Sequence, residues 1–149
     1  MPSIRARLTN AFLRRTTKSV WRPGLDIQRV RAHAAKMDAR IGRKAPPVAS
    51  EAVEFAGVKA TWFGEPALSA RGTILYLHGG AWCIHLPGVY RRLATKLSEL
   101  TGMRVLLPDY RLAPEHPFPA AIDDCLAAYR WLLEQGYADR PLAVAGDSA

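Results

Sequence analysis

The run Leu142-Ala143-Val144-Ala145 leads directly into Gly146-Asp147-Ser148-Ala149. A short apolar run with a valine suits a strand buried in a parallel sheet. A serine on a tight turn just past such a strand is the arrangement of a nucleophile elbow, G-x-S-x-G, in acyl-transfer chemistry. Four of its five positions are present, and the final glycine would be residue 150. Gly146 suits a point where neighbouring backbone leaves no room for a side chain, and Ala149 is almost as small. By itself, G-D-S-A fits an ordinary strand ending in a Gly-Asp turn equally well, so upstream residues must decide.

A serine nucleophile needs donors for the oxyanion that forms on its substrate. His78-Gly79-Gly80-Ala81-Trp82 follows the apolar, β-prone run Thr73-Ile74-Leu75-Tyr76-Leu77. Adjacent glycines let backbone N–H groups turn outward into an anion-binding nest. The nucleophile also needs a histidine base held by a carboxylate. All four histidines, His33, His78, His85 and His116, precede Ser148, as do Asp123, Asp124 and Asp147. His85 is the only upstream histidine expected near a pocket mouth.

These groups need a scaffold. Ala52–Phe55 and Ala60–Phe63 read as a strand hairpin about Gly57, and Val105–Leu107 as another buried strand. Helical spacing runs over 88–101, closed by Gly102, and over 120–135, stopped by Gly136. The second of these helices is expected to face Ile122, Cys125, Leu126, Tyr129, Leu132 and Leu133 inward. Asp109 to Pro119 is a rigid proline-rich loop in which Asp109 and Arg111 are expected to be ion-pair or hydrogen-bond partners, not catalysts. The order of elements predicts an α/β fold with a mostly parallel sheet and right-handed crossovers.

The charge is segregated: residues 1–50 hold 12 Lys and Arg against 2 Asp, whereas residues 51–149 hold 9 against 11 acids. The basic balance therefore belongs to the first third of the chain, and nucleic-acid binding is not expected from it. Cys83 and Cys125 lack metal-like spacing and read as free thiols, which fits a reducing, cytoplasmic setting. Residues 1–44 read as two helices, the first with Ile4, Leu8, Ala11 and Phe12 on one face, broken at Pro23-Gly24. The second is capped by Asp26, carries Ile27, Val30, Ala34, Met37 and Ile41, and ends at Gly42. A lid packed over the site is the leading reading. A weak membrane-surface contact or a presequence, both confined to residues 1–22, are the others. Ala45-Pro46-Pro47 is a stiff connector to residues 45–149.

Tyr76-Leu77-His78-Gly79-Gly80-Ala81-Trp82, Asp109-Tyr110-Arg111-Leu112-Ala113-Pro114-Glu115 and Gly146-Asp147-Ser148-Ala149, in this order, resemble the hormone-sensitive-lipase-like esterases and lipases of the α/β-hydrolases. The resemblance is to their N-terminal half, closely over residues 45–149, with a helical cap at 1–44. It implies hydrolysis of short- to medium-chain carboxylic esters without metal or organic cofactor. Ser148 would be the nucleophile. The N–H groups of Gly80 and Ala81, with Gly79 shaping the turn, would join that of Ala149 as the oxyanion hole. His78 would anchor the loop. Ala81 stands where many members have a third glycine, and only its backbone donor is needed. Cys83-Ile84-His85-Leu86 is less typical and would line the substrate entrance. In this fold the triad acid and histidine follow the serine, so the chain is expected to be the N-terminal part of a complete esterase, truncated at the elbow. A non-catalytic, ligand-binding member of the fold is the alternative. Neither reading fixes the natural ester or the oligomeric state.

Overall fold

The computed structural model describes residues 3–17, 24, 26–42 and 49–148. The Ala45-Pro46-Pro47 connector, Pro23 and Ala149 lie outside these residues. Helices α1 (Ile4–Thr17) and α2 (Ile27–Gly42) precede strands β1 (Ser50–Phe55) and β2 (Val58–Phe63). Then follow β3 (Thr73–Leu77), α3 (Pro87–Thr101), β4 (Arg104–Asp109), α4 (Ala120–Glu134) and β5 (Leu142–Gly146). A short 3-10 helix, Pro66–Ala70, links β2 to β3.

The five strands form one sheet in the order β1-β2-β4-β3-β5. Parallel pairing joins β3 to β4 and β5, and the hairpin adds β2 and β1 antiparallel at the β4 side, so the sheet is mixed. The hairpin turns through Ala56 and Gly57, both at positive φ (49° and 78°). That is the type I′ geometry whose twist matches paired strands.

Successive side chains on a strand point to opposite faces, and this divides the core in two. Leu75 and Leu106 join Phe55, Trp62, Ala128 and Leu132 on the α4 side. Ile74, Tyr76, Val105 and Leu107 join Tyr90 and Ala94 on the α3 side. Gly102 closes α3 in the left-handed conformation, with its N–H on Ser98 O at 2.9 Å.

Two expectations about buried faces need correction. On α4 the buried residues are Ala121, Asp124, Cys125, Ala128 and Leu132, while Ile122, Leu126, Tyr129 and Leu133 are exposed. The helix carries two apolar faces, and the one with small alanines meets the sheet. In α2, Val30 is buried but Met37 and Ile41 are exposed. Its docking rests on polar contacts and on a close approach of Gly42 to Gly88, where an added Cβ would meet the Gly88 Cα at 3.0 Å. In α1, Ile4 and Leu8 are exposed. Asp26 does cap α2, accepting the Gln28 N–H at 2.9 Å. Among the described residues, no helix is long and apolar enough to cross a membrane.

Candidate active site

Ser148 stands just past β5 with φ +56°. A left-handed backbone costs a non-glycine residue about 1–2 kcal/mol, so the surroundings must hold it there. They do so by close backbone packing. A Cβ on Gly146 would lie 2.7 Å from Leu77 O, and one on Gly79 would lie 2.5 Å from Asp147 O and 3.0 Å from Ser148 Cβ. Any side chain at either position would push the β3 end away from the turn carrying the serine.

The loop after β3 completes the arrangement. Gly80 O accepts the N–H groups of Cys83 and Ile84 at 3.0 and 2.9 Å, closing a tight turn. Gly80, Ala81 and Trp82 all have positive φ, at 141°, 53° and 56°. Gly80 admits no side chain, since a Cβ there would sit 2.0 Å from Ile84 O. The N–H of Gly79 is occupied, donating to Tyr90 Oη at 2.9 Å and to Asp147 Oδ1 at 3.3 Å. Those of Gly80 and Ala81 make no hydrogen bond among the described residues. The geometry thus separates a glycine that ties the loop down from two free donors beside it. Ala149, the third donor suggested by sequence, lies outside the described residues.

Asp147 reads in the sequence only as the second letter of G-D-S-A, yet it organises this junction. Its Oδ1 accepts from Tyr76 Oη at 2.8 Å and its Oδ2 from Tyr90 Oη at 2.9 Å. Burial, reinforced by this carboxylate, pushes the Tyr90 hydroxyl up to about 12 and that of Tyr76 higher still. Both phenols therefore remain donors at neutral pH. The sequence shows Tyr76 within an apolar, β-prone run and gives no sign of either hydroxyl's partner.

His78 is 3% exposed, with its Nδ1 on Gly79 O at 2.9 Å and its ring stacked on Tyr110 at 4.1 Å. Burial pushes its pKa down, keeping the ring neutral. The Tyr110 hydroxyl donates to His78 O. His85 stacks on His78 at 4.7 Å and places its Nδ1 3.1 Å from Asp109 Oδ1. Arg111 grips Asp124 through Nη2 at 2.7 Å and Nε at 3.0 Å, and its own N–H reaches Asp124 Oδ2 at 2.8 Å. Burial opposes ionisation of Asp124, but Arg111 outweighs it and holds the carboxyl below its ordinary range. This pairing fixes the start of the proline-rich loop against α4. His116 and His33 are exposed. No hydrogen bond among the described residues joins any histidine to Ser148.

A second cross-link comes from α2, which sequence reasoning missed. Arg31 donates to Cys83 O and to Ala113 O, each at 2.7 Å, and pairs with Glu115 at 2.7 and 2.8 Å. One guanidinium thus spans the tail of the glycine loop and the proline-rich loop, which are also joined by Ala113 N–H on Trp82 O at 2.8 Å. Asp38 of α2 accepts the N–H groups of Gly88 and Val89 at 2.8 Å each and so caps α3.

Ser148 opens into a cleft of about 320 Å³ whose walls include Leu77, His78, Trp82, Tyr110 and Val144. Trp82 also borders an apolar recess of about 340 Å³ formed with Ala81, Cys83, Phe118, Pro119 and Ile122.

Residues 74–149 match the family described as the alpha/beta hydrolase fold. The chain belongs to that family. Within this hydrolase family, it is 36% identical over 130 residues to a carboxylesterase/phospholipase of Mycobacterium tuberculosis, a match covering 87% of this chain and 30% of the relative. It is 47% identical over 90 residues to an acetyl-hydrolase of Streptomyces hygroscopicus, covering 60% of this chain and 30% of the relative. Among solved structures, an esterase of the bacterial hormone-sensitive lipase family superposes with a TM-score of 0.74 at 36% identity. That match covers 86% of this chain and 43% of the other. The hydrolase-fold chain therefore spans under half the length of these relatives.

Proposed function

We propose that this chain carries the nucleophile and oxyanion-binding part of a serine carboxylic-ester hydrolase acting on short- to medium-chain acyl esters. The observation that carries the proposal is the left-handed Ser148 packed against Gly79, whose loop continues into Gly80 and Ala81, with N–H groups that make no hydrogen bond among the described residues. Ser148 Oγ attacks the ester carbonyl, and its proton passes to a base. The carbonyl oxygen gains negative charge and takes hydrogen bonds from Gly80, Ala81 and Ala149 N–H groups. The tetrahedral species collapses, the alcohol leaves with the proton, and water later hydrolyses the acyl-serine. Base and orienting carboxylate come, in this proposal, from a part of the protein other than these 149 residues. His78, Asp109 and Arg111 position loops, and residues 1–44 act as a cap segment over 45–149.

The relatives' names, esterase, acetyl-hydrolase and carboxylesterase/phospholipase, support an ester substrate. The apolar recess past Trp82 suits an acyl or alcohol chain. Two unpaired cysteines support a cytoplasmic setting. A ligand-binding protein without catalysis is the second reading. Labelling with an activated phosphonate ester separates the two: an esterase gives a mass adduct on the peptide bearing Ser148, lost in Ser148→Ala. Reversible binding of esters with no adduct in the protein extended downstream of Ala149 would favour the receptor.

A further inference from the structure

The turn that carries the Gly80 and Ala81 N–H groups is held in an unfavourable shape. Ala81 and Trp82 have φ of 53° and 56°. Residues with a Cβ stay in that left-handed region only where their surroundings over-determine the backbone. Within the loop, the Cys83 and Ile84 N–H groups close the turn on Gly80 O. From outside, the Ala113 N–H holds Trp82 O at 2.8 Å.

The remaining restraint comes from α2, 52 residues before Cys83. Arg31, its side chain only 24% exposed, donates through Nε to Cys83 O and through Nη2 to Ala113 O, each at 2.7 Å. These carbonyls lie on either side of the Ala113–Trp82 hydrogen bond, so the guanidinium closes a ring around it. Glu115 accepts from Nη1 and Nη2 at 2.7 and 2.8 Å and fixes the plane of the fork. Glu115 also accepts from Gln28 Nε2 at 3.2 Å, which gives α2 a second hold on the same loop. A planar guanidinium can serve two carbonyls and a carboxylate together, whereas a lysine ammonium is a single point on a flexible stem. Arg29, on the same helix, pairs with Asp26 at 3.3 Å.

We propose that Arg31 is a positioning residue for the oxyanion hole, clamping the strained turn at Gly80–Cys83 from the cap segment. The kinetic consequence rests on the ester-hydrolase reading; the clamp itself rests on the hydrogen bonds alone. Both are measured in the protein extended downstream of Ala149, as wild type, Arg31→Gln, Arg31→Lys and Arg29→Gln. In p-nitrophenyl butyrate hydrolysis, Arg31→Gln should lower kcat about 10- to 100-fold with KM within about twofold, because the displaced donors serve charge that develops in the transition state. Arg29→Gln should match the wild type. In hydrogen exchange, the amides of Cys83, Ile84 and Ala113 should exchange at least about tenfold faster in Arg31→Gln, while those of Leu75 and Leu106 keep their rates. Arg31→Lys keeps the charge without the fork and should show the same changes in smaller measure; it decides the matter if Arg31→Gln fails to fold. Unchanged exchange at the three loop amides would overturn the clamp. Faster exchange with unchanged kcat, a loss confined to KM, or an equal loss in Arg29→Gln would overturn the positioning role. Absence of Ser148-dependent hydrolysis in the wild type would instead sink the ester-hydrolase reading and the kinetic role with it, and the exchange rates would still decide the clamp.

Discussion

The Tyr90 hydroxyl works in two directions, accepting the Gly79 N–H at 2.9 Å and donating to Asp147 Oδ2 at 2.9 Å. It thereby links the loop after β3 to the turn that bears Ser148. Tyr90→Phe removes an acceptor from one and a donor from the other while keeping the ring packed on Tyr76. The expected cost is about 1–2 kcal/mol, read as a lower urea midpoint at unchanged slope. An unchanged midpoint would mean that the hydroxyl is not holding the junction. Residue identities at the site were legible because glycine and serine report backbone constraints directly. The carboxylate of Asp147 and the hydroxyls of Tyr76 and Tyr90 were not, because hydrophobic periodicity registers the ring and ignores the oxygen at its tip.

Two elements carry predictions of their own. Asp38 satisfies two N–H groups at the start of α3 from a different helix, so Asp38→Ala should cost about 1–2 kcal/mol in denaturant unfolding. It should also loosen α2, detectable as faster amide exchange in residues 27–42. At the hairpin, Ala56 occupies a positive-φ position of a type I′ turn, which alanine fills poorly. Ala56→Asn creates Asn-Gly and should raise stability by about 0.5–1 kcal/mol, seen as a higher urea midpoint. A lower midpoint would contradict the turn assignment. Strands, helices and the hairpin were readable because period and punctuation are local. Which face of α4 is buried was not, since Ile122, Leu126, Tyr129 and Leu133 form a stripe as regular as the buried one. Only the sheet's need for small residues at Ala121 and Ala128 separates them. Likewise the docking of α2 depends on Arg31 and Asp38, charged residues that a hydrophobic pattern assigns to solvent.

Over the whole molecule, the loops of the site are tied to the body by charge. The hydrogen bond from Arg31 holds the Glu115 carboxyl down at about 2, against an ordinary 4.5. Arg111 likewise holds Asp124 below its ordinary 3.8. Depressed carboxyl pKa values stabilise the folded state above the unfolded values and lose that contribution as pH falls through the folded ones. The thermal midpoint should therefore drop as pH falls from about 5 toward 2. Glu115→Gln should lessen that drop while lowering the midpoint at neutral pH. A slope identical to wild type would exclude Glu115 from the linkage. At this scale the segregation of charge is legible in the sequence but its use is not, because the partners are 84 and 13 residues apart.

The central claim is that Ser148 attacks esters, and p-nitrophenyl butyrate hydrolysis tests it most directly. The chain extended through its downstream frame is compared with its Ser148→Ala variant, with the 149-residue chain assayed alongside. The account predicts turnover in the extended protein that falls by at least about 10³-fold in Ser148→Ala, with the fold intact. Undiminished hydrolysis by the folded Ser148→Ala variant would contradict it.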